Sequence, residues 1–101
     1  MGQFDIHRFR SRTTGYAYVV DVQQDFLDPM ETRLVIPAVR VTAADVPLRR
    51  LNPVLDIDGV QHYLRTQELA AVRRRMLGAV IGSARPLSSA IISAIDMLVT
   101  G

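Results

Sequence analysis

Apolar and polar positions alternate with a period of two through much of the chain and switch to a helical period near its end. Phe4 and Ile6 alternate with Asp5 and His7, which predicts a half-buried strand over residues 3–9. The segment from Arg10 to Gly15 is polar and closes on glycine, so it reads as a loop. Residues 16–22 are rich in β-branched and aromatic side chains and predict a second strand. Between Asp25 and Glu31, Asp28-Pro29 marks a turn. Residues 33–36 form a short apolar run that Pro37 is expected to stop, with Val39 and Val41 resuming it after a break. Asp45-Val46-Pro47 opens an exposed connection that reaches Leu51-Asn52. Residues 54–57 and 60–65 flank Asp58-Gly59, a pair that accepts the positive φ angles of a type I′ hairpin. A sixth extended piece runs through residues 69–72.

The period then changes. Leu87, Ala90, Ile91, Ala94, Ile95 and Leu98 recur at spacings of three and four, the apolar stripe of one helix of about four turns. Pro86 suits its first turn, Ser83 lies where a cap would act, and Gly101 sits where a helix would stop. The expected fold is therefore mainly β with one C-terminal helix: a small barrel or strongly curved antiparallel sheet.

Composition narrows the chemistry. With 101 residues, the chain has room for one core, which predicts a single domain over residues 1–101. There is no cysteine, so disulfides, a thiolate nucleophile and a cysteine zinc site are excluded. No apolar run approaches a membrane span and the N-terminus lacks a signal pattern, so a soluble, cytoplasmic protein with no membrane contact is expected. All twelve basic residues are arginine, yet the net charge is only +2, too weak a field to argue nucleic-acid binding from electrostatics. Arginine's planar fork suits bidentate carboxylate pairs at interfaces instead.

Catalytic signals are missing. His7 and His62 have no second ligand at metal-site spacing, and His62 reads as a solvent-facing or interface histidine. Asp21, Asp25 and Asp28 lack the glycine and glutamate of a calcium loop. No nucleophile elbow, phosphate loop or dinucleotide fingerprint occurs. No metal, no cofactor and no enzymatic activity are expected. Arg73-Arg74-Arg75 is open to two readings, a phosphate contact or a solvated connection. Phe26 and Leu27 are too, because large apolar side chains in a loop either pack in the core or dock on a partner.

Several stretches, in order and at matching spacing, carry a resemblance over the whole chain. They are Gln3-Phe4, then Val20-Asp21-Val22-Gln23-Gln24-Asp25, then Leu34-Val35-Ile36-Pro37 and Leu51-Asn52-Pro53-Val54. The last runs from Ala94-Ile95-Asp96-Met97 through Leu98-Val99-Thr100-Gly101. On these residues the chain resembles the CcdB family, toxins of type II toxin–antitoxin pairs that poison DNA gyrase.

The resemblance implies a homodimer of SH3-like barrels that binds the DNA gyrase A subunit and traps gyrase on cleaved DNA. A CcdA-like antitoxin, whose disordered C-terminal segment folds on the toxin, would neutralise it. By position, the gyrase-binding residues implied are Phe26, Leu27, Asp96, Val99, Thr100 and Gly101. Phe26 and Leu27 stand where the family has isoleucines, Asp96 where it has asparagine and Val99 where it has phenylalanine. Thr100 replaces an aromatic anchor, tryptophan, and the family's final isoleucine has no counterpart. The antitoxin-binding loops implied, residues 8–14 and 41–50, with the adjoining Arg40, contain Arg8, Arg10, Arg12, Arg40, Arg49 and Arg50. Such a set suits an acidic peptide. Two alternatives accompany this reading. One is a diverged homologue that dimerises and binds antitoxin without poisoning gyrase; the other is a barrel-fold toxin that cleaves messenger RNA.

Overall fold

The Asp58-Gly59 pair does what its chemistry predicts. Asp58 (φ 52°) and Gly59 (φ 75°) turn the chain tightly between β4 (Val54–Ile57) and β5 (Val60–Leu64), which pair from Ile57↔Val60 onward. The computed structural model describes residues 2–10, 15–27 and 30–100; the predicted turn at Asp28-Pro29, most of the loop after Arg10, Arg12 and Gly101 lie outside them.

The other strands are β1 (Asp5–Phe9), β2 (Tyr18–Asp21), β3 (Thr32–Arg40), β6 (Ala70–Arg73) and β7 (Leu77–Ser83). The seven strands among the described residues form one curled antiparallel sheet in the order β4-β5-β3-β2-β1-β7, with β6 also pairing β3. The helix α1 spans Ser88–Thr100, entered through a 3₁₀ turn at Arg85–Leu87 that contains Pro86. Ser83 Oγ accepts the Arg85 N–H at 3.1 Å, so the expected cap serves that leading turn. The mainly β, SH3-like half-barrel with one C-terminal helix agrees with the sequence reading. Among the described residues, no helix is long and apolar enough to cross a membrane.

Two elements correct that reading. Pro37 does not stop β3, which runs unbroken for nine residues. Val20 and Ile36 form a hydrogen-bonded pair with β2, so the alternating pattern turns the Pro37 nitrogen to the other edge. On that edge β6 has ended at Val35 and β5 begins at Ala38, so no ladder donor is missed, and the Pro37 carbonyl accepts Arg65 N–H at 2.9 Å. β7 is the second correction, since the sequence reading found no strand there. Its Gly78 approaches the irregular register of β1 so closely that a Cβ would lie 3.0 Å from the Arg8 carbonyl oxygen. The glycine that hides the strand from its pattern is what lets it close on β1.

One face of the sheet packs Ile6, Val20, Ile36, Leu64, Phe4 and others against α1. A smaller cluster of Val19, Val35 and Leu77, with Phe9 and Val72, lies apart from it. Ile91 and Ala94 are buried on α1, and Leu87 and Ile95 are half-buried. Ala90 and Leu98, expected on the inner stripe, are exposed. The stripe is narrower than its spacing implies: Ala90 lies to one side of the buried line through Leu87, Ile91 and Ala94, and Leu98 continues that line toward the exposed end of the helix.

His62 is not solvent-facing. It is buried, with Nδ1 2.7 Å from the Val60 carbonyl and its ring edge-on to Tyr18. His7 is also buried, donating from Nδ1 to the Gly78 carbonyl at 3.0 Å.

The inner face of α1 can be tested directly. Ile91→Asp places a charge in the core and is expected to abolish the cooperative thermal transition, whereas Leu98→Asp on the exposed side should change stability by under about 0.5 kcal/mol. Equal melting of the two variants would contradict this packing.

Candidate functional site

Asp21 ends β2 and Arg33 lies near the start of β3; both side chains are fully buried. Arg33 donates to Asp21 Oδ2 from Nη2 at 2.8 Å and from Nε at 2.9 Å. The second carboxylate oxygen accepts the Gln23 N–H at 3.0 Å. Arg33 also donates to the Gln23 carbonyl at 3.3 Å, and Gln23 Oε1 accepts the Leu34 N–H at 3.0 Å. Burial pushes the Asp21 carboxyl above its ordinary pKa, and the Gln23 N–H and Arg33 offset only part of that rise. A pair of this kind adds little net stability, yet losing one partner costs about 3–5 kcal/mol. Its effect is geometric: it fixes where the chain leaves β2 and re-enters β3.

From this base a 3₁₀ turn, Asp25–Leu27, projects Phe26 into solvent with 74% of its surface exposed. Of the two readings of Phe26, core packing is overturned, because about three-quarters of the residue's surface is open to solvent. Leu27 closes the same turn.

The helix presents two further faces beside its buried one. Ile92, Asp96 and Val99 follow at spacings of four and three, so they share one flank; Ile92 is 49% and Val99 72% exposed. Thr100 is also exposed, and its hydroxyl donates to the Asp96 carbonyl at 2.8 Å. Asp96 to Thr100 lie roughly 12–18 Å along the axis from the helix start.

The other flank, Ala90, Ser93 and Met97, borders a cavity of about 260 Å³ with Arg49, Arg50 and Pro53. Arg49 and Arg50 therefore stand beside the helix. Arg40 instead lines a groove of about 470 Å³ with Tyr16, Tyr18, Ala38, Asp45 and His62. The Arg8 guanidinium lies 5.8 Å from the Tyr18 ring centroid, next to that groove, and Arg10 is exposed where its N–H meets the Met76 carbonyl. The arginines predicted as one set are thus divided between two surfaces, and spacing alone could not show it.

Residues that the sequence reading passed over hold these loops. Asn52 is buried; its Oδ1 accepts the Leu48 N–H, and its Nδ2 donates to the Leu64 carbonyl and Gln67 Oε1. Glu68 joins Tyr16 to Arg65, and the Arg65 guanidinium reaches the Tyr63 hydroxyl, which donates to Asp45 at 3.2 Å. The hydrogen bond to Glu68 raises the Tyr16 pKa. In the basic run, Arg73 faces Glu31 at 4.0 Å and Arg74 donates to the Met30 carbonyl. Among the described residues, no group of three or more His, Cys, Asp or Glu is placed to hold a metal ion.

The connection after β3 carries a pH signature. Asp45 Oδ2 accepts from the Thr42 hydroxyl at 2.7 Å and the Thr42 N–H at 2.8 Å, and these bonds hold its pKa below the 3.8 of a free aspartate. Since the bonds favour the carboxylate, this turn is fully held above pH 3.8 and released as pH falls through the lower folded value. Proton titration of the Thr42 amide shift is expected to show a midpoint below 3.8; a midpoint at or above it contradicts the geometry.

The model of the CcdB protein family matches residues 3–101, nearly the whole chain. That family is one of toxins from toxin–antitoxin pairs that poison gyrase rather than catalyse a reaction. With this match added to its fold, the chain belongs to the CcdB family.

Proposed function

We propose that this chain is the toxin of a type II toxin–antitoxin pair: a homodimer that binds the DNA gyrase A subunit and traps gyrase on cleaved DNA. The observation that carries this reading is Phe26, a large apolar side chain held in solvent by a turn anchored on a buried ion pair. Such an arrangement has a cost with no return in the free protomer, and a receiving pocket on a partner supplies the return. The flank Ile92, Asp96 and Val99 gives a second patch, and two-fold symmetry would offer both patches twice to a two-fold target. Leu27, Thr100 and Gly101 complete the proposed gyrase-facing set.

Neutralisation is assigned to an acidic peptide of a CcdA-like antitoxin. Arg8, Arg10 and Arg40 offer it charge beside the Tyr18 groove, and Arg49 and Arg50 offer it at the helix cleft. Arg12 belongs to the same proposed set. Val46 and Leu48, 85% and 58% exposed, add apolar contacts in the connection that carries Arg49 and Arg50.

A second reading has a specific observation behind it. Thr100 offers little area and spends its hydroxyl on the Asp96 carbonyl, so an aromatic anchor is replaced by a short, engaged side chain. That favours a homologue that dimerises and binds antitoxin without poisoning gyrase.

Incubation of the purified protein with gyrase and supercoiled DNA separates the two. Poisoning gives protein-linked cleaved DNA, which an acidic antitoxin peptide abolishes; soluble dimer, antitoxin binding and no cleavage establish the second reading. Phe26→Ala is expected to weaken binding to the gyrase A subunit by about tenfold to thirtyfold while leaving antitoxin affinity unchanged, measured by calorimetry. Unchanged gyrase affinity contradicts the assignment of the turn.

A further inference from the structure

The chain makes a tight turn just before β1, and almost every polar group in it is committed to a different element. Asp5 N–H donates to the Gly2 carbonyl at 3.1 Å, closing the turn, and Gly2 N–H donates to Asp5 Oδ2 at 2.7 Å. Gln3 N–H donates to Asp25 Oδ1 at 2.7 Å, and its side-chain amide donates to the Val22 carbonyl at 3.1 Å. Both acceptors belong to the segment that carries Phe26. The Gln3 carbonyl accepts from Arg85 Nη2 at 3.1 Å, and the Phe4 carbonyl accepts the Ala84 N–H at 2.7 Å. Both donors belong to the chain entering α1.

Phe4, the third residue of this turn, is buried and has a φ of 70°. That position in a turn of this kind ordinarily takes glycine, because a Cβ is strained at positive φ. The aromatic ring stays in the core with the Arg85 guanidinium 5.7 Å from its centroid. Retained strain at a bulky residue points to a geometry the surroundings enforce. Here the enforced geometry ties the Phe26 turn to the start of the helix.

We propose that the Gly2–Asp5 turn is a positioning device, with Gln3 and Asp25 at its centre. It holds the Phe26 turn at a fixed place relative to α1, so that Phe26 and the Asp96–Val99 flank reach one partner surface together. Because α1 is a continuous 13-residue rod, fixing its start also fixes its far end. The proposal rests on the gyrase-docking reading above, and it assigns Gln3, Asp25 and Arg85 a role through other residues, without contact to the partner.

Asp25 is exposed, so its variants test the clamp without disturbing the core. Amide exchange in the free protein and affinity for the gyrase A subunit are measured for Asp25→Ala and Asp25→Asn. The alanine variant removes the acceptor for Gln3 N–H and is expected to speed exchange at residues 3 and 25–27 by about tenfold. It should also weaken gyrase binding about fivefold to tenfold, with antitoxin affinity and melting temperature unchanged. Asparagine keeps an acceptor oxygen and should restore both values to within about twofold. Unchanged exchange in the alanine variant overturns the clamp. Faster exchange with unchanged gyrase affinity overturns its role in docking. A wild-type protein that does not bind gyrase overturns the functional reading and the docking role with it, while the exchange arm still decides whether the clamp exists.

Discussion

Asp21 and Arg33 meet away from water, and much of the exposed architecture is arranged around that meeting. Burial disfavours the carboxylate and raises the Asp21 pKa, and the pair is held by further hydrogen bonds to both of its members. Gln23 supplies them: its N–H meets Asp21, its carbonyl meets Arg33, and its side chain accepts the Leu34 N–H, which makes the segment between β2 and β3 a fixed structure at its base. Replacing the pair by apolar residues could leave the core equally stable. It would remove the constraint that directs Phe26 outward.

This chain carries its proposed chemistry on outer surfaces, with several other titratable groups committed to holding loops. Glu68 ties Tyr16 to Arg65, Asp45 closes the turn with Thr42, and Asn52 pins the chain at Leu48 to β5. The helix then separates two surfaces: one flank faces the Arg49–Arg50 cleft and the other presents Asp96 and Val99. On the proposed function, an acidic segment in the cleft would lie beside the gyrase-facing flank, so one partner could crowd out the other without covering every contact.

What the sequence made legible depended on whether local chemistry decides the outcome. Asp58-Gly59 announced its hairpin because positive φ at both positions is a local demand. Ile91 and Ala94 announced the inner helix face because both are buried there, but Ala90 and Leu98 share their period and stay exposed. Pro37 and Gly78 misled for a common reason: each is unfavourable in an average strand and acceptable at its own place in the ladder. The gap between β5 and β6 spares the one, and the close approach to Arg8 requires the other. Arg33 gave no signal, since a charged residue is ordinarily exposed, and its burial follows only from Asp21 twelve residues earlier across the sheet. The division of the arginines between a groove and a helix cleft is likewise a property of the fold, invisible to charge counting.

On the proposed function, the gyrase A subunit is met by the Phe26 turn and the Val99 flank of the helix, away from the connection that carries Val46. Site-specific photo-cross-linking to the gyrase A subunit tests it most directly, with a benzoyl-phenylalanine substituted in turn for Phe26, Val46 and Val99. Adducts are expected from positions 26 and 99 and none from 46, although Val46 is the most exposed of the three. Adducts from position 46 with none from 26 or 99 would contradict it.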